Sequence, residues 1–215
     1  MRSVKTSAPT NLELVLKTLK EFGLLLETDT KLPSVAGLVA GEAVRGSWWT
    51  HSRSHEIFAV LQAVADHQQV LTAKLVSGKV TFVHRKLWSD VLSIGAARES
   101  WQTQKLIPAA KMLLDKIDQK EMVRTDILDW PPKFKSVKVG QAVRELEKRL
   151  LIHSEEFHGE SGAHAKLIET WDHWTNRIDF KPKPVAADDA KRRLEKRVQL
   201  LNERFGALAY LPWTR

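Results

Sequence analysis

The stretch VLTAKLVSGKVTFVHR, residues 70–85, decides how this chain is read. Two β-prone runs flank Ser77-Gly78, a pair suited to a two-residue hairpin turn. Such a turn predicts Val76 opposite Lys79, Leu75 opposite Val80 and Lys74 opposite Thr81. One face then carries Leu71, Ala73, Leu75, Val80 and Phe82; the other carries Thr72, Lys74, Lys79, Thr81 and Arg85. The expectation is a hairpin with an oily side for a core and a basic side for solvent or phosphate.

Upstream lie three helical patterns. Thr10 and Glu13 have capping-box spacing, Leu12, Val15, Leu16, Leu19 and Phe22 follow at helical spacing, and Gly23 ends the helix. Pro33-Ser34 opens a short helix, SVAGLVAG. A third helix, capped by Ser52 or Ser54 and running to His67, is expected to bury Ile57, Phe58, Leu61, Val64 and Ala65. Three helices followed by a hairpin is the order of a winged helix. Downstream the order recurs. A bridging helix at 87–94 leads to a helix carrying Ile107, Ala110, Leu114 and Ile117, then a short helix at 125–130 stopped by Pro131-Pro132. A helix at 139–150 follows, then two β-prone segments, LLIHSEEF and AHAKLIETW, around a turn at 159–162.

The expected fold class is therefore α+β and mostly helical: two tandem winged-helix units plus a C-terminal helix. The units are 1–95 with the bridging helix, 96–180, and a tail, 181–215. In the tail a Pro-rich linker, KPKPVAA, precedes a helix striped with Leu194, Val198, Leu201 and Phe205. That stripe is expected to pack back on the domain, with a homodimer through the same helix as the alternative.

Composition narrows the chemistry. The 215 residues hold 34 Lys and Arg against 26 Asp and Glu, a formal charge of +8, which points to a polyanionic partner such as DNA. Cysteine is absent, which excludes disulfides, thiolate metal sites and cysteine nucleophiles. No apolar run reaches membrane-spanning length, and MRSVKTSAPTNLEL has no signal-peptide core, so a cytoplasmic protein without membrane contact is expected. Eight Trp against one Tyr is an unusual ratio. No phosphate loop, dinucleotide fingerprint or nucleophile elbow is present.

The stretches RGSWWTH, KLVSGKVTFVHRKLW and LEKRLLIHSEEFHGESGAHAK resemble those of uncharacterised bacterial tandem winged-helix proteins. At the level of the fold the chain also resembles the winged-helix DNA glycosylases of crosslink repair. Those enzymes carry three units and a Gln-x-Gln catalytic motif. This chain has room for two units, and it has Gln68-Gln69 and Gln102-Thr103-Gln104. In the second, a polar Thr replaces the apolar middle residue and the position within the repeat differs, so the catalytic role is not carried over.

Three groups of residues are candidates for function. The first is Arg45, Ser47, Trp48, Trp49 and His51, ahead of the third helix, where a winged helix faces DNA. Gly46 permits a turn there, and two adjacent Trp cannot both enter one core from an extended chain. An exposed Trp would stack on an unpaired base or wedge a base step. The second group is basic: Lys74, Lys79 and Arg85 on the hairpin, the loop residues Lys133, Lys135 and Lys138, and Arg144 and Lys148 on the helix at 139–150. The third is the segment 151–174, with four His and five acids against one Lys. There Glu155, Glu156 or Glu160 beside His158 or His164 is a candidate acid–base site that activates water at a sugar anomeric carbon. A solvated or structural role, or a His–carboxylate metal site, is the alternative; the spacing matches no metal signature, so no metal or cofactor is expected.

The function read from these features is binding of double-stranded or damaged DNA in repair. If the chain is an enzyme, the expected chemistry is that of a DNA glycosylase-type hydrolase. A dimeric transcriptional regulator and a protein-interaction scaffold without nucleic acid are the alternatives.

Overall fold

A computed structural model describes residues 10–134, 136–158 and 164–214, with the side chains of His158 and His164 left aside. Helix α1 (Asn11–Phe22) begins at the expected capping box: Thr10 N donates to Glu13 Oε2 at 2.7 Å, and Glu13 N donates to Thr10 Oγ1 at 3.3 Å. Gly23, at φ 81°, ends it and turns the chain into strand β1 (Leu24–Leu26). Ser34 caps α2 (Val35–Ala40). A 3-10 turn at Trp48–Thr50 precedes α3 (Ser54–Ala65), whose N-cap is Arg53 rather than a serine. Strands β2 (Val70–Lys74) and β3 (Val80–His84) form the hairpin. Helix α4 (Trp88–Ala96) bridges to the second half.

That half runs through α5 (Ser100–Thr103), α6 (Pro108–Lys120), β4 (Met122–Arg124), α7 (Val139–Lys148), β5 (His153–His158) and β6 (His164–Glu169). Helices α8 (Trp171–Arg177) and α9 (Ala187–Phe205) complete it. Both sheets are antiparallel and share one topology, β1-β3-β2 and β4-β6-β5. In each, a short strand after a helix adds to the far side of the later hairpin. The expected helix at 125–130 is absent; a 3-10 turn at Pro132–Phe134 stands after it, beyond the prolines that were expected to stop it.

The first hairpin departs from its expected register. The Ser77-Gly78 turn is there, with Lys79 N donating to Val76 O at 3.0 Å and φ of 53° and 67° at its centre. Yet Lys74 pairs with Val80 and Ala73 with Thr81. Leu75 is the extra residue: at φ −98°, ψ −63° it bulges, and every pair beyond it is shifted by one. The slip regroups the faces. Leu71 and Val83, with Leu24 and Leu26 from β1, turn toward a core that includes α4 and α9. Val70 and Phe82, with Leu25, turn toward α1, α2 and α3. Both faces are covered, so no basic face exists on this hairpin.

The second sheet is likewise packed on one side by α6 and α7, through Val123, Ile168, Leu113 and Leu146. Its other side meets α8. Helices α4, α8 and α9 thus form a middle layer that binds the halves together. Trp88, Trp171 and Trp174 are buried there with Leu150, Leu194 and Val198. The C-terminal stripe, Ala190, Leu194, Val198 and Leu201, is covered within the chain. The linker is tied down too: Lys183 N donates to Ser89 Oγ, and Ser93 Oγ donates to Val185 O. Among the described residues no helix is long and apolar enough to cross a membrane.

Candidate nucleic-acid interface

The segment before α3 sorts its two Trp by backbone geometry. Val44 is buried, Gly46 takes φ 78°, and the chain re-enters the core at Trp48, which is 6% exposed. Trp48 Nε1 donates to Glu27 Oε1 at 2.8 Å, so its ring is held by both packing and a hydrogen bond. Trp49 points outward and is 60% exposed. Its ring stacks on Trp48 at 4.0 Å and lies 5.4 Å from Phe58, itself 38% exposed. Of the eight Trp, the other seven are buried or half-buried. Trp49 is therefore the exception, an aromatic face backed by an anchored one.

Phe58 was expected in the core and is a surface partner of Trp49 instead. Ile57, Leu61 and Val64 form the buried stripe, at i, i+4 and i+7. Phe58 and Ala65 sit about 100° round the helix from that stripe and face outward. The adjacency of Ile57 and Phe58 was the available signal.

Three of the polar candidates lie together in the segment that leads to α3. Arg45 and Ser47 are exposed and, with Glu42, Val44 and His51, line an open concavity. His51 Nδ1 accepts from Arg53 N at 3.1 Å, which leaves Nε2 as the N–H that faces Glu42 Oε1 at 3.2 Å.

The other basic candidates are dispersed. Lys74 faces the buried Glu147 of α7 at 3.2 Å, and Lys79 bonds Asp29 at 2.7 Å. Arg85 lies at the opposite end of the hairpin, stacked over Trp88 and Phe180 and donating to Gln68 O. Lys133 covers the Phe134 ring. Lys138 precedes α7, and Arg144 and Lys148 project from it, with the Lys148 stem lying over Gly78 at the hairpin tip. Lys135 lies outside the described residues.

The acidic candidates are separated by the pleat of β5. Glu155 pairs with Leu167 and Glu156 with Lys166, so the two carboxylates occupy opposite faces. Glu160 and the side chain of His158 lie outside the described residues. On the Glu155 side stands a network that sequence reading missed. Glu169 is fully buried, and its carboxylate accepts from His153 Nδ1 at 3.1 Å, His173 Nδ1 at 2.6 Å and Arg177 at 2.6 Å. Arg177 also donates to Glu155 at 2.6 Å. Burial pushes the Glu169 carboxyl up, but the hydrogen bonds from His153, Arg177 and His173 outweigh it and hold its pKa at about 2. The Arg177 guanidinium is held still more firmly protonated, chiefly by Glu169. Ligand atoms of His153, Glu155 and Glu169 converge within 4.8 Å. Arg177, bonded to both carboxylates, already supplies the positive charge there, so the arrangement fits an ion-pair network rather than a metal centre.

Of the Gln-x-Gln segment, Gln102 is packed into the fold and Gln104 is exposed. Gln102 is buried, accepts from Glu99 N at 2.8 Å and donates to Arg149 O at 3.1 Å.

The molecule is thus an α+β protein of two halves with one sheet topology, presenting a stacked, outward-facing Trp. The chain belongs to the AlkZ-related family, whose model matches residues 10–205. AlkZ itself is a glycosylase of DNA crosslink repair. No curated protein and no solved structure matches the chain.

Proposed function

We propose that this protein engages damaged or distorted duplex DNA in a glycosylase-like repair role. Family membership supports the repair class. The observation that carries the reading is Trp49: a rigid, exposed ring with its inner face already stacked on an anchored Trp48. Such a ring is ready to receive an unpaired base at little ordering cost, and an intact duplex has no free base face to offer it. In this reading 1–95 and 96–180 are winged-helix units, each with its third strand between the other two, and 181–215 is the tail that packs back. Arg45 and Ser47 flank Trp49 and contact the backbone of the displaced strand.

For the chemistry, hydrolysis breaks the bond from C1′ to the base nitrogen and forms a bond from C1′ to water oxygen. A carboxylate must take the water proton, and the departing base must gain one. Among the acidic candidates, Glu155 has the environment for this. It is half-exposed, and Arg177, locked to Glu169 behind it, holds its carboxylate in place.

The test is single-turnover base release from a crosslinked duplex. Wild-type protein is expected to release base. Glu155→Gln is expected to lower the rate by about 100-fold or more with DNA affinity retained. No release by the wild type, or full activity in Glu155→Gln, overturns the catalytic assignment.

A further inference from the structure

Basic groups from four parts of the chain converge where α1 ends. Lys20 is in the last turn of α1, His67 follows α3, His84 ends β3, and Lys86 lies in the turn after it. From α9 come Arg197 and Arg204. The Lys86 ammonium donates to the carbonyls of Lys20 and Glu21. His84 pairs with Val70, whose N–H bonds His67 O, so the loop after α3 joins the group. Arg204 bonds Glu21 at 3.1 Å, which neutralises one charge of each sign. Among the described residues, Lys20, Lys86 and Arg197 form no ion pair with a carboxylate. Each is a charge the fold does not compensate. Burial first, then Arg197 and Lys20, loosen the proton on Lys86; burial first, then Lys86, Lys20 and His67, do so on His84. Like charges gathered on a surface at their own cost are compensated when an outside polyanion binds.

We propose that this cluster is a contact site for the phosphodiester backbone of duplex DNA, at a distance from the nucleotide held by Trp49. The proposal rests on the DNA-binding reading above. A backbone suits the site better than one isolated phosphate, because Lys20 and Lys86 both lie exposed on the surface. The direction is fixed by α1. Its first residue, Asn11, donates to Glu56 at the start of α3, next to the Trp49 end. The twelve residues of α1 then span about 18 Å to the cluster, roughly five base pairs at 3.4 Å each. Lys17, exposed one turn before Lys20, lies on the same path.

The test is duplex affinity as a function of salt for the full chain. Lys20→Gln with Arg197→Gln is compared with Lys111→Gln with Lys120→Gln on the exposed side of α6, which makes the same change in net charge. Loss of two phosphate contacts is expected to flatten the log–log salt slope by about 1.8 and to weaken binding up to about 60-fold at 0.1 M salt, for intact and abasic duplex alike. The α6 pair is expected to leave the slope unchanged. If the cluster pair melts early, Lys20→Gln alone, an exposed change, is expected to flatten the slope by about 0.9. An unchanged slope in a protein that still prefers abasic duplex overturns the cluster and leaves the function standing. Equal flattening by the α6 pair overturns it as well. Absence of salt-dependent DNA binding by the wild type overturns both.

Discussion

Neighbouring residues of one chemical type take opposite fates here because the backbone alternates. Trp48 is core and Trp49 is surface; Glu155 and Glu156 leave their strand on opposite faces. That two adjacent Trp must part is legible in sequence, since an extended chain cannot turn both inward. Which one enters is decided by Gly46 and by Glu27, 21 residues away, and no local pattern carries that. The Glu169 network is similarly non-local: its donors come from β5 and α8, and Glu169 and His173 reveal only an i, i+4 pair. Its consequence is a pH dependence. Glu169 has a folded pKa of about 2 against an ordinary 4.5, so its stabilisation is complete above about pH 4.5 and is lost as pH falls toward 2. A shift of that size corresponds to a few kcal/mol, on the order of 3. Denaturant melts of wild type and Glu169→Gln between pH 7 and pH 3 are expected to converge as pH falls. A difference that does not narrow removes the ionised Glu169 from the stability of the fold.

At the scale of the element, the sequence pattern located most helices and both hairpins, and it failed where packing overrode periodicity. The capped helix α1, the short α2 and the striped α7 and α9 follow from caps and spacing. Strands β1 and β4 were missed because three residues are too few to show a period. Leu75 was placed in the ladder because nothing local marks a bulge, and its burial in the middle layer is a tertiary fact. The basic face assigned to the hairpin disappeared with that one-residue slip. The bridging helix α4 makes its close approach at Gly95. A Cβ there would collide with the Trp171 indole and lie 3.0 Å from Leu150 O, which accepts from Trp171 Nε1 at 2.7 Å. Gly95→Ala is expected to cost about 1–3 kcal/mol by forcing α4 from α8, despite alanine's better helix propensity. A thermal melt at or above the wild-type value would show that the contact yields without cost.

In the whole molecule, two halves of one topology are fused rather than strung together. The middle layer of α4, α8 and α9 covers both sheets, and Glu147 adds a charged link: buried in α7, it meets Lys74 of the first half and Lys166 and Ser154 of the second. Burial pushes its carboxyl up, but Lys166, Ser154 and Lys74 hold it below its ordinary range, so it remains charged at neutral pH. Packed this way, one body carries both Trp49 and the cation cluster, which suits a duplex distorted at one point and gripped at another. The most direct test is equilibrium titration of wild-type and Trp49→Ala protein with intact and abasic duplexes at one salt concentration, with Trp48→Ala as the folding control. Trp49→Ala is expected to weaken abasic binding by about 5- to 150-fold and intact binding by less than about threefold, at near-wild-type stability. Equal weakening on both duplexes, or none on either, would contradict damage recognition through Trp49.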